Sequence, residues 1–188
     1  MKLIVAITGA SGVIYGKRLL EVLRDKDIET YLVISQTAER IIEHELDTAK
    51  KDIENLASHV YEADDWNSPI VSGSFKTDGM VIVPCSMKTL AGIANGYSND
   101  VILRAADVTL KEKRKLILVP RETPLNVIHL QNMLELAKQG VLIVPAMPAY
   151  YHKPKSVSDI VNYVVGRVLD LLGIEHTLYK RWHEIQTT

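Results

Sequence analysis

Cysteine is nearly absent from this chain. Cys85 stands alone, so no disulfide can form within one copy, and the fold must rest on its core. An excess of one charge sign is missing as well. Lys and Arg number 22 against 23 Asp and Glu, for a net charge of −1. That excludes a global basic field for nucleic acid. Long apolar runs are lacking too. Leu3-Ile4-Val5-Ala6-Ile7 is cut off by Gly9, far short of the ~20 residues of a membrane helix and too short for the apolar part of a signal segment. The six histidines are scattered, with no His-x-x-x-His or Cys-x-x-Cys spacing, so no metal site is expected. Asp64-Asp65 lacks the further aspartates needed to hold Mg²⁺ against a pyrophosphate. Repeats, low-complexity stretches and linkers are also absent. The expectation is a single cytoplasmic domain over residues 1–188, with a polar tail from about 175 that packs over a site or a neighbouring subunit. With 47% hydrophobic residues the chain can fill a sizeable core.

What is there is an alternation. Leu3–Ile7, Thr30–Ile34, Gly79–Val83, Leu116–Val119 and Val141–Val144 are continuous apolar runs, the pattern of strands buried on both faces of a parallel sheet. Val60-Tyr61 adds a minor strand. Between them lie helical patterns at Val13–Arg24, Gln36–Glu45, Lys51–Ala57, from Ser86 onward, Asn99–Lys113, Leu125–Lys138 and Val157–Leu172. Asp64–Phe75 reads as a loop. The fold class predicted is α/β, a doubly wound, mostly parallel sheet of the flavodoxin-like or Rossmann-like kind.

Three turns then carry the chemistry, because such turns converge at the carboxyl ends of the strands. Gly9-Ala10-Ser11-Gly12 opens a helix without the dinucleotide spacing. A small turn there either binds phosphate through backbone amides or only lets helix and strand pack. Pro84-Cys85-Ser86-Met87-Lys88-Thr89 sets two hydroxyls and a lysine at a helix start, where a cation is unfavourable unless an anion offsets it. Cys85 reads as buried and inert. Arg121-Glu122-Thr123-Pro124 offers a bidentate phosphate ligand beside an acid, or a structural ion pair. Arg104 and Lys111 share one helix face with Asp107 between them, which alone reads as a surface network. Tyr150 and Tyr151 could wall a flat ligand, whereas His152 and Lys153 read as solvated. Arg167, among Val164, Val165, Val168 and Leu171, needs an anion or must snorkel. Trp182 has no local core to join.

Taken in order, Gly9-Ala10-Ser11-Gly12, Ser72-Gly73-Ser74, Pro84–Thr89, Arg104–Val108, Leu110-Lys111-Glu112, Arg121–Leu125 and Pro148–His152 closely resemble the UbiX/Pad1 flavin prenyltransferases, from residue 3 to about Trp182. The resemblance implies a homododecamer with FMN at subunit interfaces. It implies metal-independent transfer of a dimethylallyl group from dimethylallyl phosphate to N5 and C6 of reduced FMN. Prenylated FMN is then passed to a UbiD-type decarboxylase. Carried onto this sequence, Gly9, Ala10, Ser11, Ser35, Ser86, Met87, Lys88, Thr89, Arg104 and Arg121 match cofactor-binding positions. Lys111, Arg121, Tyr151 and Arg167 match the phosphate-binding group. Ser11, Glu45 and Glu122 match polar residues near the reacting atoms, and Trp182 the aromatic wall over the prenyl group.

Two other readings stay open at this stage. One is an FMN-dependent cysteine decarboxylase, which needs an early catalytic histidine and a Pro-x-Met-Asn loop. Here Pro145-Ala146-Met147-Pro148 ends in proline, and His44 and His59 have the wrong surroundings. The other is a non-catalytic FMN carrier, against which Glu45, Glu122, Lys111 and Arg167 speak, because a carrier needs no second phosphate site.

Overall fold

The computed structural model describes residues 1–185. Its contacts divide the chain into two compact units, Met1–Pro145 and the residues from Ala146 onward. The first unit is built on one parallel sheet of six strands: β1 (Lys2–Ile7), β2 (Glu29–Ile34), β3 (His59–Tyr61), β4 (Gly79–Cys85), β5 (Lys115–Pro120) and β6 (Leu142–Ile143). Their order is β3-β2-β1-β4-β5-β6. The direction of winding reverses between β1 and β4, and that is where open α/β sheets hold their ligands.

Helices α1 (Val13–Asp25), α2 (Gln36–Leu46), α3 (Lys50–Glu54), α4 (Met87–Ala94), α5 (Val101–Lys111) and α6 (Val127–Lys138) cover the two faces of the sheet. Alternate strand residues point to opposite sides. Ile4, Ala6, Val33, Met80, Ile82, Leu116 and Leu118 join a core with Leu90 and Ile93 of α4, Ile102 and Ala105 of α5 and Leu136 of α6. On the other face α1 buries Val13, Leu19, Leu20 and Leu23. Gly16 lets α1 come close to the sheet, since a Cβ there would lie 2.6 Å from the Val83 carbonyl oxygen.

Boundaries differ from the sequence pattern where a cap decides them. Asp100 accepts the Leu103 amide and starts α5 at Val101 rather than Asn99. Asn126 accepts the His129 amide and starts α6 at Val127 rather than Leu125. Strand β6, at the sheet edge, pairs only at Leu142 and Ile143, and the loop after β3 holds a single 3-10 turn at Pro69–Val71.

The second unit contains α7 (Val157–Leu172) and a short α8 (Trp182–Ile185) within what reads as a plain polar tail. Ser156 and Asp159 form a reciprocal capping box at the start of α7, and Gly173, at φ 76°, ends it in the left-handed conformation. The tail residues 186–188 lie outside the described residues. No described helix is long and apolar enough to cross a membrane.

Candidate active site

Four strand ends bring the first unit's site residues together. The Ser35 amide donates to the Ile7 carbonyl at 3.0 Å, and the Thr8 amide to the Pro84 carbonyl at 3.2 Å. Cys85 pairs with Pro120 in the sheet, so Ser86 and Arg121 leave neighbouring strands side by side. Gly9–Gly12, Ser35, Ser86–Thr89 and Arg121-Glu122 therefore share the carboxyl edge. Gly9 is required by close packing, because a Cβ there would lie 2.6 Å from Thr37 Cγ2.

The buried Thr8, which no motif singled out, fastens this edge. Its hydroxyl donates to the Pro84 carbonyl at 2.9 Å and accepts the Ser86 amide at 2.8 Å. Its only sequence signal is a hydroxyl closing an apolar strand. Thr8→Val strips the Ser86 amide of its acceptor, leaves the Pro84 carbonyl with the Thr8 amide alone, and is expected to destabilise the chain by about 2 kcal/mol. Urea unfolding checks this, and an unchanged midpoint would remove Thr8 from the account.

The helix starts differ in what they have to offer an anion. At α1 the amides of Gly12 and Val13 already donate to Glu45 Oε2, at 2.9 and 3.3 Å. Glu45 thus caps α1 from the end of α2, while Ser11 stays exposed at the turn. At α2, Ser35 Oγ accepts the Ala38 amide. At α4, Ser86 Oγ accepts the Thr89 amide at 3.2 Å and lies 3.0 Å from Thr89 Oγ1. No acidic residue stands in the first turn of α4, and Lys88 there is exposed. Among the described residues neither Lys88 nor Arg121 has an ion-pair partner. Helix dipole, hydroxyls and two unpaired cations make this end of the sheet the stronger anion seat. Glu122 accepts the amide of Thr123 at 2.9 Å. Met87 is buried beneath the α4 turn. Cys85 is buried as expected, and burial pushes its thiol up, away from a reactive thiolate.

Of the other two sequence-selected cations of the first unit, Arg104 is held in the first turn of α5 and Lys111 lies at the opposite edge. Arg104 donates to the Val71 carbonyl at 3.1 Å and to Asp107 at 2.5 Å. Lys111 closes α5 just before Lys115, which pairs with Gly79 at the amino end of the sheet. There Lys111 contacts Glu112, and Arg114 donates to the carbonyls of Gly73 and Phe75 at 2.7 and 2.8 Å. Ser72-Gly73-Ser74 is thus also at the amino end, about 20 Å of strand away from Ser86.

In the second unit Tyr151 meets Trp182 edge to face, with ring centroids 5.3 Å apart. Burial, with Tyr163 beside it, pushes the Tyr151 hydroxyl up to about 12, so it remains a hydrogen-bond donor. His152, read as solvated, is instead stacked on Tyr163 at 5.2 Å. Both its ring nitrogens are buried with no described hydrogen-bond partner. The turn composition misled there, because the aromatic residues that cover the ring come from α7 and beyond. Arg167 donates to Asp170 at 2.9 Å rather than snorkelling alone. Among the described residues no group of three or more His, Cys, Asp or Glu is placed to hold a metal ion.

Comparison with known proteins bears on this arrangement. The Flavoprotein family model matches residues 1–169. The chain is 60% identical to the flavin prenyltransferase UbiX of Methanocaldococcus jannaschii, over 97% of this chain and 98% of that one. Its fold superimposes with a TM-score of 0.95 on a dodecameric FMN-dependent UbiX-like decarboxylase from Escherichia coli O157:H7, 53% identical, covering 97% and 99% of the two chains. It superimposes equally, at 0.95 and 47% identity with 96% of each chain covered, on AnUbiX (PadA1) in complex with FMN and dimethylallyl pyrophosphate. A match of this depth along nearly the whole length, on a sheet with these turns at its carboxyl edge, places the chain in the UbiX family of flavin prenyltransferases.

Proposed function

We propose that this chain transfers a dimethylallyl group from dimethylallyl phosphate to N5 and C6 of reduced FMN, as a cytoplasmic homo-oligomer whose product serves a UbiD-type decarboxylase. Reduced FMN is the acceptor substrate, and it supplies the nucleophilic ring atoms. Gly9, Ala10, Ser11, Ser35, Ser86, Met87, Lys88, Thr89 and Arg121 hold it, with its phosphate against hydroxyls, amides and unpaired cations. Arg104, tied to Val71 and Asp107, supports that wall from α5. Breaking the allylic C–O bond leaves charge on the departing phosphate, which Arg121, Arg167 and Lys111 stabilise, with Tyr151 donating its hydroxyl. Tyr151 and Trp182 face the electron-poor prenyl carbon with π density. Glu122 and Ser11 accept and relay the flavin proton, and Glu45 holds the turn that carries Ser11.

The observation that carries this reading is Arg167 beside the Tyr151–Trp182 pair in the second unit. It is a second cationic station with an aromatic wall, for which a flavin store has no use. The family match spans both units, which supports one functional domain over residues 1–188. Lys111, paired with Glu112 at the amino end of its own sheet, supports a site completed by a second copy. The test is anaerobic: the protein is mixed with reduced FMN and dimethylallyl phosphate, and the flavin released on denaturation is weighed. A gain of one prenyl unit is expected. Unchanged FMN, in protein that has bound it, would return the chain to the carrier or decarboxylase readings.

A further inference from the structure

One carboxylate ties the end of the second unit to α7. Asp170 Oδ2 accepts Arg167 Nη1 at 2.9 Å and the Tyr179 hydroxyl at 2.6 Å. Its Oδ1 accepts Arg181 Nη2 at 2.7 Å and lies 3.1 Å from His176 Nε2. His176 Nδ1 accepts the Leu178 amide, which leaves the ring proton on Nε2, directed at Asp170. Four donors from three places in the chain thus converge on one side chain.

The convergence is built into the helix. Gly166, one turn before Asp170, is where the tail packs: a Cβ there would lie 2.6 Å from Tyr179 Cε1 and 2.8 Å from His176 Cε1. The carboxylate is 15% exposed, whereas Arg167 and Arg181 are 44% and 39% exposed. The anion is sheltered and the cations reach outward. Two guanidinium groups share the Asp170 carboxylate; Glu184 also stands beside Arg181, whereas Arg167 has no other acidic partner among the described residues and remains a receptor for an anion. Burial raises the cost of the Asp170 charge, yet the bonds from Arg181 and Tyr179 hold its carboxyl down at about 2.

We propose that Asp170 is a positioning residue for dimethylallyl phosphate, orienting Arg167 directly and, through Arg181, the segment that presents Trp182 to Tyr151. What Arg167 and Trp182 then do rests on the prenyl-transfer reading; that Asp170 holds them does not. A guanidinium fixed by its carboxylate meets the phosphate without first losing rotational freedom. Without that acceptor Arg167 keeps, among the described residues, only the Tyr179 hydroxyl, 3.5 Å away, and Trp182 loses the Asp170 anchor of its neighbour Arg181.

The test uses the full FMN-loaded chain as wild type, Asp170→Asn and Tyr179→Phe. Steady-state kinetics in dimethylallyl phosphate are measured, and separately the rate of tryptic cleavage after Lys180. Asp170→Asn is expected to raise KM for dimethylallyl phosphate about tenfold or more, to speed cleavage by a similar factor, and to keep FMN at wild-type stoichiometry. Tyr179→Phe removes one donor and leaves the carboxylate. It is expected to shift both readouts partway, and it decides the matter if Asp170→Asn does not fold. KM within twofold of wild type in every variant that folds overturns the proposal. So does FMN loss in step with KM, the mark of general loosening. Wild-type protein whose FMN gains no mass sinks prenyl transfer instead, and cleavage then stands as the readout: an unchanged rate in Asp170→Asn overturns the tie itself.

Discussion

Alanine at Lys111 and alanine at Arg121 will each reduce prenyl transfer by at least about a hundredfold, and the two inactive proteins will restore one another when assembled together. The reason is topological. Arg121 follows β5 at the carboxyl edge, while Lys111 ends α5 at the amino edge of the same sheet. Strands of this length separate the two by about 20 Å, well beyond a lysine's reach. One copy cannot bring both to one phosphate. A site that uses both takes Arg121 from one copy and Lys111 from another, as isologous or ring contacts in a symmetric oligomer allow. In a random one-to-one mixture of the variants, about a quarter of such sites combine two intact residues, and about a quarter of wild-type turnover returns. The variants are mixed under conditions that dissociate the oligomer, reassembled, and assayed by flavin mass. No recovery, with mixed oligomers demonstrated, would remove Lys111 from the shared site and leave it as Glu112's surface partner.

This arrangement also marks the limit of what the sequence discloses. Strands β1, β2, β4 and β5 are legible because a strand buried on both faces is apolar throughout, and Leu3–Ile7 needs only Lys2 to become the observed element. The turns at Gly9, Ser86 and Arg121 are legible because each follows such a strand. Thr8 is not legible, since its partners Pro84 and Ser86 are more than seventy residues away and contact only through sheet order. Glu45 carries no local sign that it closes the start of α1 across 33 residues. Helical spacing sets Arg104 and Lys111 on one face, but it does not say which end of the sheet that face ends at. Asp170 is an ordinary acid on a helix until Tyr179, His176 and Arg181 fold back onto it. What remained hidden was the set of pairings that only the folded chain creates, together with the caps at Asp100 and Asn126, while the apolar pattern of the strands was read directly.

Glutamate at both Leu130 and Leu134 will break the proposed homo-oligomer and abolish turnover without touching any residue proposed to contact substrate. Helix α6 turns Leu136 and Met133 toward the core, yet it leaves Val127, Ile128, Leu130 and Leu134 each more than half exposed. Leu130, Leu134 and Val127 fall on one stripe by helical spacing. An apolar stripe of this kind on an otherwise charged chain marks a surface meant to be covered. Its proposed occupant is a second copy, because the proposed site lacks Lys111 until one arrives. Helix α6 also begins only a few residues after Glu122, so a copy docked along it comes close to the Arg121–Glu122 turn. Burying two carboxylates in such a seam costs several kcal/mol, enough to dissociate it. The same substitutions on a free surface would change stability by about 0.5 kcal/mol or less. Light scattering therefore separates the cases. A drop to a smaller species with native circular dichroism and lost prenyl transfer supports the seam, and an unchanged mass assigns α6's exposed leucines to something other than self-association.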